Sequence, residues 1–145
     1  MALQPCARGK QRSGRRTILL VEDEPFVREA TCSILQGAGF EVLPAEDAQA
    51  AMEVYEQCGH RVDLVMTDMV LPGRTGQQLG QDVRERSPGV AVLVTSGYGE
   101  AQYETESPAE HTYFLAKPYS RRALVEKIET ILKTGLLPRA ATQAG

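Results

Sequence analysis

Five residues with groups suited to catalysis each stand at or directly after a short apolar run of the sequence. They are Glu22, Asp23, Asp68, Ser96 and Lys117. Continuous apolar runs bounded by turn residues predict buried strands, and the carboxyl ends of parallel strands share one edge of a sheet. The sequence therefore predicts that three acids, a hydroxyl and an ammonium group meet at one rim.

Such a group of residues would support phosphoryl transfer. Two carboxylates 4 Å apart repel each other by about 4 kcal/mol at an effective dielectric constant of about 20, so a cation is expected among them. The ligands offered are hard oxygens, which favours Mg²⁺ or Mn²⁺ over zinc. A metal, an ammonium and a hydroxyl would neutralise the oxygens of a phosphoryl group while a carboxylate attacks in line. The predicted acceptor is Asp68.

The elements that would position these residues alternate along the chain. Apolar runs typical of parallel strands lie at 17–21, 40–45, 63–68, 90–95 and 114–116, with helical spacing of apolar residues after the first three and the last. This alternation predicts an α/β fold with a doubly wound parallel five-stranded sheet between two layers of helices. The last helix is expected to end at Gly135. The segment between Tyr98 and Thr112 is rich in glutamate and contains Pro108, which predicts a short, mobile or partly unwound fourth helix.

Length and composition set further limits. The chain has 145 residues, 42% hydrophobic and 24% charged, which is typical of one globular domain. No apolar run is long enough to span a membrane and no secretory signal is evident, so a cytoplasmic location is predicted. The three cysteines are widely spaced and odd in number, which favours reduced thiols over a disulfide framework or a zinc site.

The charge is distributed unevenly. Residues 1–16 contain five basic residues and no acid, whereas the whole chain has a net charge of −3. We interpret this head as a flexible basic extension or linker. It lacks aromatic residues between the basic ones, so nucleic-acid binding is not expected.

Four motifs, in this order and spacing, resemble the receiver domain of two-component response regulators over about residues 17–133. They are Val21-Glu22-Asp23-Glu24, Thr67-Asp68-Met69-Val70-Leu71-Pro72-Gly73, Val94-Thr95-Ser96-Gly97-Tyr98 and Lys117-Pro118-Tyr119. The resemblance implies a flavodoxin-like (βα)5 fold with a receiver domain at 17–135 and a flexible tail at 136–145. It also implies that Asp68 accepts a phosphoryl group from the phosphohistidine of a histidine kinase or its phosphotransfer domain.

The resemblance assigns roles to further residues. Mg²⁺ would be held by Glu22, Asp23, Asp68 and the backbone carbonyl of Val70. Ser96 would be the switch hydroxyl, Gly97 its small neighbour, and Lys117 the ammonium that pairs with the phosphate, before a cis bond to Pro118. Phe114 stands where many receivers carry a tyrosine that follows the movement of the switch hydroxyl.

The chain most resembles receivers at the carboxyl end of hybrid sensor histidine kinases. The other interpretation is that it is a free-standing regulator. Such a domain would catalyse its own phosphorylation and its own slow dephosphorylation without being a turnover enzyme. It would be a monomer or a weak dimer. The alternatives are a degenerate receiver acting only through protein contact, a hydrolase with an aspartyl-phosphate intermediate, and a nucleotide binder. A hydrolase would be expected to carry an acid at Val70, and a nucleotide binder a glycine-rich first loop where Glu22-Asp23-Glu24 stands.

Overall fold

The computed structural model describes residues 15–58, 61–97 and 111–144. In chain order its strands are β1 (Thr17–Val21), β2 (Glu41–Ala45), β3 (Leu64–Asp68), β4 (Val70–Leu71), β5 (Arg74–Thr75), β6 (Ala91–Ser96) and β7 (Thr112–Ala116). Its helices are α1 (Pro25–Gly37), α2 (Ala48–Cys58), α3 (Gly76–Arg86) and α4 (Arg121–Ala144).

Five of the strands form one parallel sheet in the order β2-β1-β3-β6-β7. The order reverses direction between β1 and β3, and in open sheets of this kind the crevice at the carboxyl ends beside such a reversal is the usual place for a ligand. Register places Asp68 opposite Thr95, and Ser96 opposite Ala116. The topology is flavodoxin-like and confirms the predicted doubly wound α/β fold.

The core lies in two layers because alternate residues of each strand face opposite sides of the sheet. Ile18 and Leu20 of β1 pack in the cluster that includes Leu35 of α1 and Ile128 of α4. The intervening residues Leu19 and Val21 belong to the other layer, with α2 and α3. The strands are therefore apolar on both faces, which explains why they appear in the sequence as continuous runs.

Helix α3 begins directly after the loop that follows β3. Thr75 caps it in a capping box: the Thr75 hydroxyl accepts from the Gln78 backbone N–H, and the Gln78 side chain accepts from the Thr75 backbone N–H. This reciprocal pairing satisfies donors that the first helical turn leaves open. The loop between β3 and α3 is thus held where it joins the helix.

Two features differ from the sequence-based predictions, and a third was not predicted. The unpredicted feature is a small antiparallel hairpin of β4 and β5 after β3, with Val70 opposite Thr75 and a turn at 72–73. Helix α4 continues past Gly135 to Ala144, because glycine permits a helix to end without forcing it to do so. Cys58 is disulfide-bonded, although Cys32 carries the predicted free thiol, since sequence spacing does not determine which thiols meet in space.

Several predictions concern residues outside the described ones. The basic head, apart from its last two residues, and most of the expected fourth helix lie there, as does Tyr98. The boundaries at 17–135 and the flexibility of residues 136–145 stay predictions. Within the described residues, no helix has the length and apolar character needed to cross a membrane.

Candidate functional site

Asp68 and Lys117 form an ion pair at the carboxyl edge of the sheet. Asp68 ends β3, and Lys117 directly follows β7, two strands away in the sheet. The Lys117 Nζ atom lies 2.5 Å from Asp68 Oδ1, and the two side chains are 31% and 14% exposed. The Lys117 backbone N–H donates to the Ser96 carbonyl over 2.8 Å, which fixes the start of the loop after β7. Both side chains of the pair are therefore partly exposed to solvent.

Two further acids approach Asp68 from the end of β1. Carboxylate oxygens of Glu22, Asp23 and Asp68 lie within 4.8 Å of one another. Glu22 is buried and Asp23 is exposed, so the cluster reaches from the interior to solvent. Three oxygen ligands of like charge at this separation fit a hard divalent cation, because oxygen donors suit Mg²⁺ and mutual repulsion is relieved by positive charge.

Backbone contacts hold the buried acid in place. The Glu24 N–H donates to Glu22 Oε2 over 3.1 Å, and the Glu22 N–H donates to the Ala45 carbonyl over 3.0 Å. The Arg28 guanidinium of α1 donates to the Glu22 carbonyl over 2.7 Å. The turn from β1 into α1 is therefore built to present Glu22 to the cluster.

The electrostatics of the cluster appear in two pKa shifts. Burial raises the pKa of Glu22, as do the charges of Asp68 and Asp23, against the opposing effects of the Glu24 N–H and Lys117. Burial by itself would lower the pKa of Lys117, but the hydrogen bond and charge of Asp68, with the charge of Glu22, raise it. The site therefore disfavours a further negative charge, and the Lys117 ammonium holds its proton more tightly than a free lysine does.

The loop after β3 packs against the backbone of Asp68. Met69 donates its N–H to the Thr95 carbonyl over 2.8 Å, and Gly76 donates to the Met69 carbonyl over 2.7 Å. A Cβ atom at Gly76 would lie 2.2 Å from the Asp68 carbonyl oxygen, so only glycine fits there. Val70, whose carbonyl is the predicted fourth metal ligand, lies two residues beyond Asp68 in the hairpin with its side chain 58% exposed.

Two neighbouring residues with hydroxyl groups end β6, and a role was predicted only for Ser96. Ser96 is buried, and its Oγ has no hydrogen-bond partner among the described residues. The Thr95 hydroxyl, which sequence reasoning missed, donates to Asp68 Oδ1 over 3.1 Å. The available signal was register: if β3 and β6 are parallel neighbours, the residue opposite Asp68 shares its side of the sheet.

The remaining predicted residues lie at the same edge. The Lys117–Pro118 peptide bond is cis, as the resemblance implied. Gly97 directly follows β6, and Phe114 lies in β7 opposite Val94. Gly97 and Phe114 are partly buried. Sequence reasoning gave Tyr119 no chemical role, and burial raises the pKa of its phenol. All the predicted site residues are among those described, and the acids and the lysine converge.

Comparison with known proteins places this arrangement in a family. A family model described as response regulator receiver domain matches residues 18–129. The sensor kinase CckA of Brucella abortus is 35% identical over 122 residues, which cover 83% of this chain and 13% of the kinase. RegX3 of Mycobacterium tuberculosis, a sensory transduction protein, is 29% identical over 82% of this chain and 52% of its own length.

Solved structures agree with the sequence comparison. One match is the crystal structure of the receiver domain of the hybrid histidine kinase CckA, with 31% sequence identity and a TM-score of 0.67. The matched region covers 80% of this chain and 98% of the CckA receiver chain. The sheet order, the acid cluster and the Asp68–Lys117 pair are thus found in a chain that matches the receiver-domain family model over residues 18–129. This chain belongs to the response regulator receiver domain family of two-component systems.

Proposed function

We propose that this chain is a phosphoacceptor in a two-component phosphorelay, with Asp68 receiving the phosphoryl group. The observation that carries the proposal is the Lys117 ammonium 2.5 Å from Asp68 Oδ1, beside two further acids within 4.8 Å. A partly exposed carboxylate between a cation and a metal-binding cluster is equipped to attack phosphorus, because the incoming negative oxygens are met by positive charge.

Glu22, Asp23 and Asp68, with the backbone carbonyl of Val70, are the residues that would hold the ion, which we propose is Mg²⁺ or Mn²⁺. When bound, the ion supplies positive charge for the phosphoryl oxygens. The chain's own residues do the rest. Glu22 is fixed by its backbone contacts, Asp23 is open to solvent, and both keep their oxygens beside the acceptor.

The transfer itself needs little from the protein beyond position and charge. An oxygen of Asp68 forms a bond to phosphorus while the bond from phosphorus to the donor's histidine nitrogen breaks, and that electron pair stays on the imidazole. Lys117, already paired with Asp68, would then neutralise the phosphoryl oxygens. Its raised pKa keeps it charged for this role.

Ser96 supplies the response to phosphorylation in this proposal. Its buried hydroxyl has no partner among the described residues, and phosphoryl oxygens at Asp68 would offer it strong acceptors. Movement of Ser96 would be eased by Gly97 and transmitted to Phe114 in the neighbouring strand. Because phenylalanine has no hydroxyl, Phe114 would respond by packing alone.

The proposed chemistry favours a switch over a turnover enzyme. Val70 lies two residues beyond Asp68, where a hydrolase using an aspartyl phosphate would carry an acid to activate water. Dephosphorylation is therefore expected to be slow. A degenerate interaction module would be expected to lack the acids or the lysine, and all of them are present at this edge.

Receiver domains interact with histidine kinases and with downstream effectors. For this chain we propose a histidine kinase or its phosphotransfer domain as donor, in the cytoplasm. Similarity to CckA favours a place within a hybrid kinase, with a free-standing regulator as the second arrangement. We also propose that the chain is a monomer or weak dimer and that it does not bind nucleic acid.

The test is intact-mass spectrometry after incubation with Mg²⁺ and acetyl phosphate. The chain should gain one base-labile phosphate, and Asp68→Asn should gain none. Asp82→Asn, which removes an acid paired with Arg74 away from the cluster, is the matched control and should be phosphorylated normally. Phosphate on Asp68→Asn would show that the acceptor is another residue. No phosphate on the unaltered chain from acetyl phosphate or a kinase would favour the degenerate module.

A further inference from the structure

Thr95 contacts the acceptor carboxylate, although the motif that contains it, Val94-Thr95-Ser96-Gly97-Tyr98, assigned it no role. Its hydroxyl donates to Asp68 Oδ1 over 3.1 Å, and its only other acceptor among the described residues, the Thr67 carbonyl, lies 3.5 Å away. Thr95 is 2% exposed, so water does not compete readily for the hydroxyl. A charged acceptor strengthens a hydrogen bond from a hydroxyl, and at 3.1 Å this bond is at the long end of the usual range.

Thr95 and Lys117 approach the same oxygen of the acceptor from two different strands. Lys117 Nζ lies 2.5 Å from Oδ1, and the Thr95 hydroxyl completes a second bond to that atom. Among the described residues, no side chain or backbone donor contacts Asp68 Oδ2. Two bonds to Oδ1 restrict rotation of the carboxylate about its last torsion, which is otherwise broad.

We propose that Thr95 is a positioning residue that holds Asp68 Oδ1 so that Oδ2 faces the incoming phosphoryl group. This inference rests on the proposed function of Asp68. With acetyl phosphate, Oδ2 forms the new bond to phosphorus as the bond from phosphorus to the acetyl oxygen breaks, and acetate leaves with the electron pair. No proton is transferred. Thr95 acts only through Asp68, by keeping the attacking oxygen in line.

Position in the sheet explains why Thr95 is suited to this role. It lies opposite Asp68 in the parallel register of β3 and β6, so both side chains leave the sheet on the same side. Ser96, one residue later, is buried, and its hydroxyl has no partner among the described residues. The two hydroxyls are therefore assigned different tasks: Thr95 orients the acceptor before transfer, and Ser96 responds after it.

The test compares Thr95→Val, which keeps the shape but loses the hydroxyl, with Thr95→Ser, which keeps the hydroxyl. Initial rates of phosphorylation by acetyl phosphate would be measured by intact mass over a range of donor concentrations. We expect the maximal rate of Thr95→Val to fall about tenfold, as loss of one charged hydrogen bond implies, with the half-saturating donor concentration unchanged. Thr95→Ser should recover most of the rate.

Thr17→Val is the matched control, because Thr17 is a buried threonine of the same sheet whose hydroxyl has no partner among the described residues. It lies at the opposite edge and should be phosphorylated at the normal rate. Thermal unfolding of every variant separates positioning from folding. If Thr95→Val does not fold, Thr95→Ala takes its place.

The outcomes separate this inference from the function on which it rests. If the unaltered chain gained no phosphate, both the positioning role of Thr95 and the proposed function of Asp68 would be overturned. Normal phosphorylation of the unaltered chain with an undiminished maximal rate for Thr95→Val, or a loss in Thr95→Ser equal to that in Thr95→Val, would overturn the positioning role alone. A loss shared by Thr17→Val would likewise show a general effect of the substitution and overturn it.

Discussion

Lys117 and Asp68 are 49 residues apart in the chain, yet the lysine's ammonium lies 2.5 Å from the aspartate's carboxylate. The pair spans the ends of β3 and β7, with β6 between them. Through this pair Lys117 neutralises part of the negative charge that Glu22, Asp23 and Asp68 bring together. Lysine and a divalent cation should therefore compete for the same carboxylate.

Lys117→Met is expected to change metal binding and phosphorylation in opposite directions. Removing the ammonium should tighten Mg²⁺ binding about tenfold, because the acids lose their internal counter-charge. The same change should slow phosphorylation about 100-fold, because the transferred oxygens lose a cation. Calorimetric titration with Mg²⁺ and an intact-mass time course would measure the two effects. Lys133→Met, at an exposed position of α4, is the control, and weaker Mg²⁺ binding in Lys117→Met would contradict the competition.

Glu22→Gln is expected to stabilise the metal-free protein at neutral pH. The folded-state pKa of Glu22 is raised above the ordinary 4.5, first by burial and then by neighbouring acids. The folded state binds the Glu22 proton more tightly than the unfolded state does. The resulting contribution to the free energy of unfolding is complete below pH 4.5 and is lost as the pH rises through the folded-state pKa. Glutamine avoids that loss, so its unfolding midpoint in EDTA at pH 7 should be higher by about 3 °C.

The advantage of Glu22→Gln should fade as the pH falls towards 4, where the wild-type carboxyl is protonated in both states. Added Mg²⁺ should raise the midpoint of the wild type more than that of the variant. Thermal unfolding followed by circular dichroism, with and without Mg²⁺, measures both trends. Glu53→Gln on the exposed face of α2 should show neither trend. An advantage that grows on acidification would refute the assigned cause.

Ser96→Ala should leave the unphosphorylated protein as stable as before, or more stable by about 1 kcal/mol. The reason is that the Ser96 hydroxyl is buried without a partner among the described residues, and removing such a group costs little. Phosphorylation should then protect β6 and β7 from hydrogen exchange in the wild type but less in the variant. Ser33→Ala, at an exposed site on α1, is the control. Destabilisation of unphosphorylated Ser96→Ala would mean that the hydroxyl is already bonded.

Gly76→Ala should damage the site through the backbone of its acceptor. The new Cβ would lie 2.2 Å from the Asp68 carbonyl oxygen, so the loop or the end of β3 must move. We expect a loss of about 3 kcal/mol in the free energy of unfolding and slower phosphorylation. Gly37→Ala is the control, since its Cβ would meet its nearest neighbour, Arg121, at 3.7 Å. Chemical denaturation measures both, and equal stabilities would refute the contact.

The local pattern of the sequence is enough to predict a parallel sheet, because burial on both faces makes each strand a continuous apolar run. It also determined which strand ends carry Glu22, Asp68 and Lys117, since the carboxyl ends of parallel strands share one edge. These are properties of local pattern and of topology. They require no knowledge of how side chains are oriented within the site.

Tertiary structure alone decided the contacts within that edge. The role of Thr95 depends on the register between β3 and β6, which sets Thr95 and not Ser96 beside the Asp68 carboxylate. A slip of one residue would reverse that choice, because successive side chains point to opposite faces. Pairing between distant strands therefore sets the chemistry around the acceptor, and no local pattern contains it.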